Sequence, residues 1–241
     1  MRISVCLASY NGASFIEQQI TSILTNLSAA DELIISDDGS TDGTLALIQT
    51  IKDPRITLLN GPKQGLVCNF ENAILNSSGD VIFLADQDDI WVSDKVTRML
   101  DVLVSGYDLV ISDCNVIDEN GAELHASFYQ LNGSAPGLLK NLLKNSYLGC
   151  AMAFKREFIS KALPFPAKAP MHDWWLGMVA ESFGSVKLMP DKLMSYRRHG
   201  KNASPTGEKS ANSLKVKLNY RLNLLAELVK RFFKLNRLKN K

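Results

Sequence analysis

Histidine is scarce in this chain of 241 residues: there are three, His125, His172 and His199. Imidazole chemistry is therefore confined to those positions. The four cysteines, Cys6, Cys68, Cys114 and Cys150, are widely spaced and form no CxxC pair. That spacing argues against a zinc site or a disulfide framework. Each cysteine lies among apolar residues and reads as a buried, reduced thiol of a cytosolic protein. No apolar run reaches the roughly 18 residues of a transmembrane helix. The opening "MRISVCLASYNG" turns polar too soon to be a secretory leader. There is no GxGxxG and no Walker loop, so any bound phosphate must be neutralised in another way. The basic residues are not interleaved with the aromatics of a known nucleic-acid reader, and no nucleic-acid partner is expected.

What is present points to a globular α/β protein. Hydrophobic residues make up 46% and charged residues 22% of the chain, enough for a substantial core. The net charge of +2 hides an asymmetry, because from Lys209 onward there are ten Lys/Arg and one acid, Glu227. The body is therefore acidic and the tail basic, which implies two separate jobs. "RISVCLAS", "ELIIS", "ITLLN" and "VIFLA" read as strands. They alternate with the helical patterns "SFIEQQITSIL", "LALIQTI" and "LVCNFENAIL", the first opening on a possible capping box, Ser14 with Glu17. Such alternation predicts a mostly parallel central sheet flanked by helices. Further on, "DLVIS" and "GCAMAFK" read as strands and "DWWLGMVAESF" as a helix. "SVKLMP" and "LMSYRRH" read as two closing strands, and "GKNASPTGEKSAN" as a mobile loop, a candidate lid over a phosphate ligand.

In sheets of this kind ligands bind beyond the carboxyl ends of the strands. Three polar clusters fall there: "SYNG", "SDDGSTD" and "DQDD". The second also reads as a solvated turn, but a carboxylate there can accept a nucleobase N–H. Asp86, Asp88 and Asp89 repel one another unless a hard cation such as Mg2+ or Mn2+ sits among them with substrate phosphates. On an extended segment Asp86 and Asp88 would share one face. "HDWW" places Asp173 beside bulky aromatics at a helix start, as an N-cap or as a general base strengthened by exclusion of water. "YRRHGKN" combines cations and an imidazole, suited to diphosphate charge and metal ligation or to a plain basic turn.

In this order the clusters resemble the family 2 glycosyltransferases of the GT-A fold, over about residues 2–204. The resemblance is strongest to the bacterial branch of rhamnosyl- and galactosyltransferases of surface polysaccharide synthesis. It implies an inverting transfer from a nucleoside-diphosphate sugar, linked to UDP or dTDP, to a glycan or lipid-linked acceptor. Asp38 would then hold the base, with Ser9, Tyr10 and Asn11 lining the nucleoside pocket. Asp86 would face the ribose or sugar, Arg197 and Arg198 the diphosphate. Asp88 and His199 would ligate Mg2+ or Mn2+, and Asp173 would deprotonate the acceptor. Gly149, Cys150 and Trp174 would border the acceptor. One departure is visible: many relatives carry Ala-Arg-Asn where this chain has Val67-Cys68-Asn69, so the basic donor contact of that position is missing.

Two other readings remain open. A sugar-1-phosphate nucleotidyltransferase would show a glycine- and basic-rich loop after the first strand, and "LASYNGASF" has one glycine and no basic residue. A binding module without turnover would be expected to lack a base, and Asp173 is present. The chain divides into a catalytic domain, 1–208, and a basic amphipathic helical segment, 209–241. In that segment Leu218, Leu222, Leu225, Val229 and Phe232 recur at helical spacing among cations. It reads as a helix lying on the cytoplasmic face of a membrane, as one docked on the body, or as an oligomer contact.

Overall fold

The fold is seen in a computed structural model that describes residues 1–200, Asn202 and 213–239, with side chains to Arg237. Most of the "GKNASPTGEKSAN" stretch, and with it the expected lid, lies outside the described residues. Four parallel strands come first: β1 (Ile3–Ser9), β2 (Glu32–Asp37), β3 (Ile56–Asn60) and β4 (Val81–Asp86), in the spatial order β3-β2-β1-β4. Every residue of β1 is buried, as a strand covered on both faces requires. The intervening helices are α1 (Ile16–Leu24), α2 (Thr44–Thr50) and α3 (Leu66–Leu75). The expected capping box does not form. Helix α1 begins at Ile16 without a side-chain cap, and Phe15 and Ile16 donate their backbone N–H groups to Gly12 O instead.

The second half adds β5 (Ile90–Trp91), α4 (Lys95–Val104), β6 (Leu109–Ile117), β7 (Glu123–His125), α5 (Phe128–Asn132) and α6 (Leu138–Leu143). A 3₁₀ turn at Gly149–Ala151 leads into β8 (Met152–Lys155), followed by α7 (Arg156–Ala162), α8 (His172–Phe183), β9 (Val186–Arg197) and α9 (Leu214–Lys239). Here the pairing is mixed. β8 is antiparallel to both β4 and β6, while β9 runs parallel to β6 and antiparallel to β5. The antiparallel direction of β8 brings its leading turn, with Gly149 and Cys150, to the carboxyl end of β4. The two expected closing strands are one, β9, with register shifts opposite Ser112 and Asp113 that let it continue past Pro190.

Register aligns the strand ends: Ser9 pairs with Asp37, Ala8 with Asp86, and Asp37 with Asn60. The polar clusters thus share one edge of the sheet. Helix α9 docks on α6 and α8. Leu224 and Leu228 are buried there, and Arg231 donates to Leu163 O and, at 2.7 Å, to Pro164 O. Among the described residues no helix is long and apolar enough to cross a membrane.

Candidate functional site

A cavity of about 620 Å³ opens at the aligned strand ends, lined by Ser9, Tyr10, Asp38, Asp86, Asp88, Gly149 and Asp173 among others. Seven of the residues singled out from sequence are therefore brought together. Asn11, Cys150, Trp174, Arg197, Arg198 and His199 are not among its lining residues.

The "SDDGSTD" loop is organised by its first aspartate. Asp37 is buried and accepts from Ser9 Oγ (2.7 Å), Ser40 Oγ (2.6 Å) and the backbone N–H groups of Gly39 and Ser40. Asp38 lies one position on, at the cavity edge, and accepts from Lys63 N (2.6 Å) and Gly65 N (2.8 Å). Each oxygen keeps a second lone pair for a ligand. Asn11 adopts φ 51° and clamps the loop, its side chain accepting from Thr41 N at 2.8 Å and its own N–H donating to Ser40 Oγ. Asn69 ties β1 to β2 by donating to Ser9 O and Ser36 O. Cys68 supplies no cation here, and the one cationic side chain among the described lining residues is Lys63, packed across Gly39.

Strand β4 ends at Asp86, and residues 87–88 form a turn, so the shared face expected of an extended segment does not apply. Asp86 and Asp88 reach the cavity through that turn instead. Gln87, between them, pins Tyr10 by accepting from its N–H (2.8 Å) and donating to its carbonyl (3.0 Å). Burial raises the Asp86 carboxyl above its ordinary value, and the Asp88 and Asp173 charges add to the effect.

Asp88 and His199, expected as metal ligands, are adjacent: Asp88 Oδ2 lies 2.8 Å from His199 Nε2. Asn202 Nδ2 donates to the same oxygen at 3.3 Å, and the His199 ring stacks on Phe15 at 5.0 Å. The carboxylate oxygen suits a hard divalent ion such as Mg2+ or Mn2+, and the imidazole nitrogen favours Mn2+, the softer of the two. A second group, Asp86, Asp89 and Cys150, offers ligand atoms within 4.8 Å of one another. It fits a hard cation less well. Burial pushes the Cys150 thiol well above its ordinary value, so it stays protonated, and neither it nor Asp89 lines the cavity.

Arg197 has a task the sequence did not indicate. It is buried, and its backbone N–H donates to Asp89 Oδ1 (3.0 Å) and its Nε to Asp88 O (2.8 Å). The guanidinium also reaches Asp118 O, Glu119 O and Gln18 Oε1 and lies over the Phe15 ring. With these partners it braces the acidic turn from behind rather than facing the cavity. Arg198 donates its backbone N–H to Ile117 O. Lys95 is wholly buried beneath the turn, donating to Cys150 O at 3.1 Å and lying 4.3 Å from the Trp91 ring centroid.

Asp173 sits in the first turn of α8, is buried, and lines the cavity. Burial raises its carboxyl from 3.8 to about 7, against hydrogen bonds from Trp174 N and Asn145 that pull it down. A group poised near neutrality is what a general base requires. Trp174 is turned aside, its indole N–H bonded to Asn141 O at 2.7 Å.

Comparison with known proteins identifies the family and the fold. The family described as Glycosyl transferase family 2 matches residues 4–163. An uncharacterised glycosyltransferase of Nostoc sp. is 28% identical, over 88% of this chain and 71% of its own length. The UDP-Glc:alpha-D-GlcNAc-diphosphoundecaprenol beta-1,3-glucosyltransferase WfgD of Escherichia coli is 28% identical, over 71% of this chain and 68% of its own. Among solved structures, the mannosyltransferase PcManGT of Pyrobaculum calidifontis, in complex with GDP-Man and Mn2+, superposes with a TM-score of 0.63 at 20% identity, over 83% of this chain. This chain spans 58% of that protein, whose likeness supports a GT-A fold. The family match runs from the first strand to the end of α7 and takes in the aspartate clusters, and the chain belongs to glycosyl transferase family 2.

Proposed function

We propose that the protein transfers a hexosyl or rhamnosyl unit, with inversion, from a UDP- or dTDP-linked sugar to a hydroxyl of a glycan or lipid-linked acceptor in bacterial surface polysaccharide synthesis. The observation that carries this reading is the buried Asp173 facing Asp38, Asp86 and Asp88 across one cavity. Asp38, with Ser9 and Tyr10, takes the nucleoside, and Lys63 adds positive charge at that end. Asp86 faces the sugar. Asp173 accepts the proton of the attacking hydroxyl as that oxygen bonds to the anomeric carbon opposite the diphosphate. The bond from that carbon to the diphosphate oxygen breaks in the same displacement, and the nucleoside diphosphate leaves with its electron pair. Asp88 and His199 would hold Mg2+ or Mn2+. That ion supplies the charge that stabilises the leaving diphosphate. Arg197 keeps the Asp88–Asp89 turn in place, and Gly149 lines the cavity beside Asp173, where the acceptor would bind.

A lipid-borne acceptor also gives the tail a purpose. Helix α9 is docked by one face, with Phe232 stacked on Phe183 of α8, but Leu218, Leu222 and Val229 are each about half exposed on another. Lys215, Lys217, Lys230, Lys234 and Arg237 share the same helix. This combination fits an anionic membrane surface on the cytoplasmic side, with the apolar side chains in the acyl boundary. The cations disfavour pairing of two copies through the same stripe. The test of the whole reading is a screen of UDP- and dTDP-sugars for divalent-metal-dependent hydrolysis and for thermal stabilisation. A protein neither stabilised by any of them nor able to hydrolyse one would refute it.

A further inference from the structure

His172 opens α8 immediately before Asp173 and lines the same cavity, yet no step above uses it. It is 2% exposed, and neither Nδ1 nor Nε2 has a hydrogen-bond partner among the described residues. One side of the ring packs on Phe70 of α3, with centroids 4.2 Å apart. A Cβ added to Gly149 would collide with Nε2, so the glycine makes room for the imidazole. Burial lowers its pKa to about 3, and the ring is neutral at working pH, with one donor nitrogen and one acceptor nitrogen. A leucine or phenylalanine would fill this apolar space without burying two unpaired polar atoms, which is unfavourable. The imidazole lies on the cavity wall between Phe70 of α3 and the base on α8, beside the space that the reading above gives to the sugar.

The ligand group that matches a neutral imidazole is a hydroxyl, which donates and accepts at once. We propose that His172 is a substrate-binding residue that hydrogen-bonds a hydroxyl of a sugar held beside Asp173, the donor's or the acceptor's, and adds nothing to binding of the bare nucleoside diphosphate. Both nitrogens are covered in the present state. The contact therefore requires the ring to turn about its Cβ–Cγ bond or the Gly149 turn to yield. The proposal rests on the reading of the cavity as a nucleotide-sugar site. The hydroxyl can belong to the donor sugar or to the acceptor, and separate assays tell them apart.

The experiment compares wild type with His172→Leu and His172→Phe, which are apolar, and His172→Gln, which keeps a donor and an acceptor. Calorimetry measures binding of UDP, dTDP, UDP-glucose, UDP-N-acetylglucosamine and dTDP-rhamnose, and transfer assays use a panel of p-nitrophenyl glycosides as acceptors. His172→Leu should bind UDP and dTDP within about twofold of wild type and melt no lower. It should lose about tenfold or more in affinity for the nucleotide sugar if the hydroxyl is the donor's, or in acceptor KM if it is the acceptor's. His172→Gln should recover part of the loss. A folded leucine variant with both quantities within about twofold of wild type overturns the proposal. So does a lowered Tm in His172→Leu and His172→Phe alike, which would make the imidazole a packing element. If wild type binds none of the nucleotides, the reading of the cavity fails and this inference falls with it. Intact wild-type binding with an unaltered leucine variant removes the inference alone.

Discussion

Replacing Asp173 by asparagine should make the protein more stable and nearly inactive. The native carboxyl is raised from 3.8 to about 7, first by burial. A raised acid means that the folded state prefers the protonated form. The penalty is absent below about pH 4, grows as pH rises through the interval between the unfolded and folded values, and is complete above about pH 7. A shift of about three units corresponds to something on the order of 4 kcal/mol. Asparagine has nearly the same shape and no charge, and its side-chain oxygen can still accept from Trp174 N, 2.5 Å from Asp173 Oδ1 in the native chain. Asp173→Asn should therefore raise Tm at pH 8 and leave it nearly unchanged at pH 4. Transfer at saturating donor should fall by roughly 10²-fold or more, the range of a general base. In wild type the same rate should climb with pH through about 7, as Asp173 gives up its proton, and the variant's residual rate should lose that inflection. Thermal melts at the two pH values, paired with pH–rate profiles, carry the test. If Asp173→Asn melts lower than wild type at pH 8 and keeps its transfer rate, the carboxylate is a structural cap and the argument fails.

Three further outcomes follow from the same geometry. Asp88→Asn should abolish rescue by Mn2+ or Mg2+ after chelation while leaving UDP or dTDP binding without metal within about threefold; full turnover in excess EDTA would remove the metal from the scheme. Arg197→Gln should destabilise the fold by about 3 kcal/mol, because a buried charge-assisted network is lost, and should also weaken metal affinity; a Tm within a degree or two of wild type would show that the turn stands without it. Ending the chain near Lys209 should abolish flotation with liposomes containing anionic lipid, in a salt-sensitive way, while hydrolysis of a soluble donor survives; equal flotation of both chains would free the tail of that role.

The alternation of strands and helices, and the position of each polar cluster at a strand end, were legible because both depend on local pattern. The side-chain period of a strand and the turn residues that end it are written within a few positions. Pairing partners are not. That β8 enters antiparallel, and that β9 lies beside β5, depends on long-range register, and from this follows the role of Arg197. Two arginines in "YRRHGKN" looked equally suited to a diphosphate. The Arg197 side chain turns inward because the β5–β9 ladder brings the end of β9 against the Asp88–Asp89 turn, with Ile90 paired to Ser195. Gln87 escaped notice because an amide between acids has no pattern of its own. His172 carried one signal, a polar ring inside an apolar stretch, but only its burial without a partner separates a ligand group from a core histidine.

The clustering of acids at the end of β4 can now be weighed as charge. Asp86, Asp88, Asp89 and Asp173 bring four carboxyls to one side of the sheet, against the buried Lys95 and Arg197. Burial holds Asp86, Asp89 and Asp173 toward their protonated forms; with all four ionised the cluster would be short by two positive charges, which is the charge that one divalent ion brings. Lys95 and Arg197 act from behind the turn, on Cys150 O, Asp88 O and Asp89 Oδ1. They hold the segment in place without occupying the front, where Asp88 meets His199. The protein's own cations thus fix the turn and leave the cavity face negative. A folded chain with enough internal positive charge to neutralise the cluster would have little affinity left for a metal. A chain with none would not hold three acids in four positions at a buried strand end. The arrangement lies between these limits, and the placement of its two buried cations, behind the turn rather than in the cavity, is what keeps the site open to a cation that arrives with its phosphate ligand.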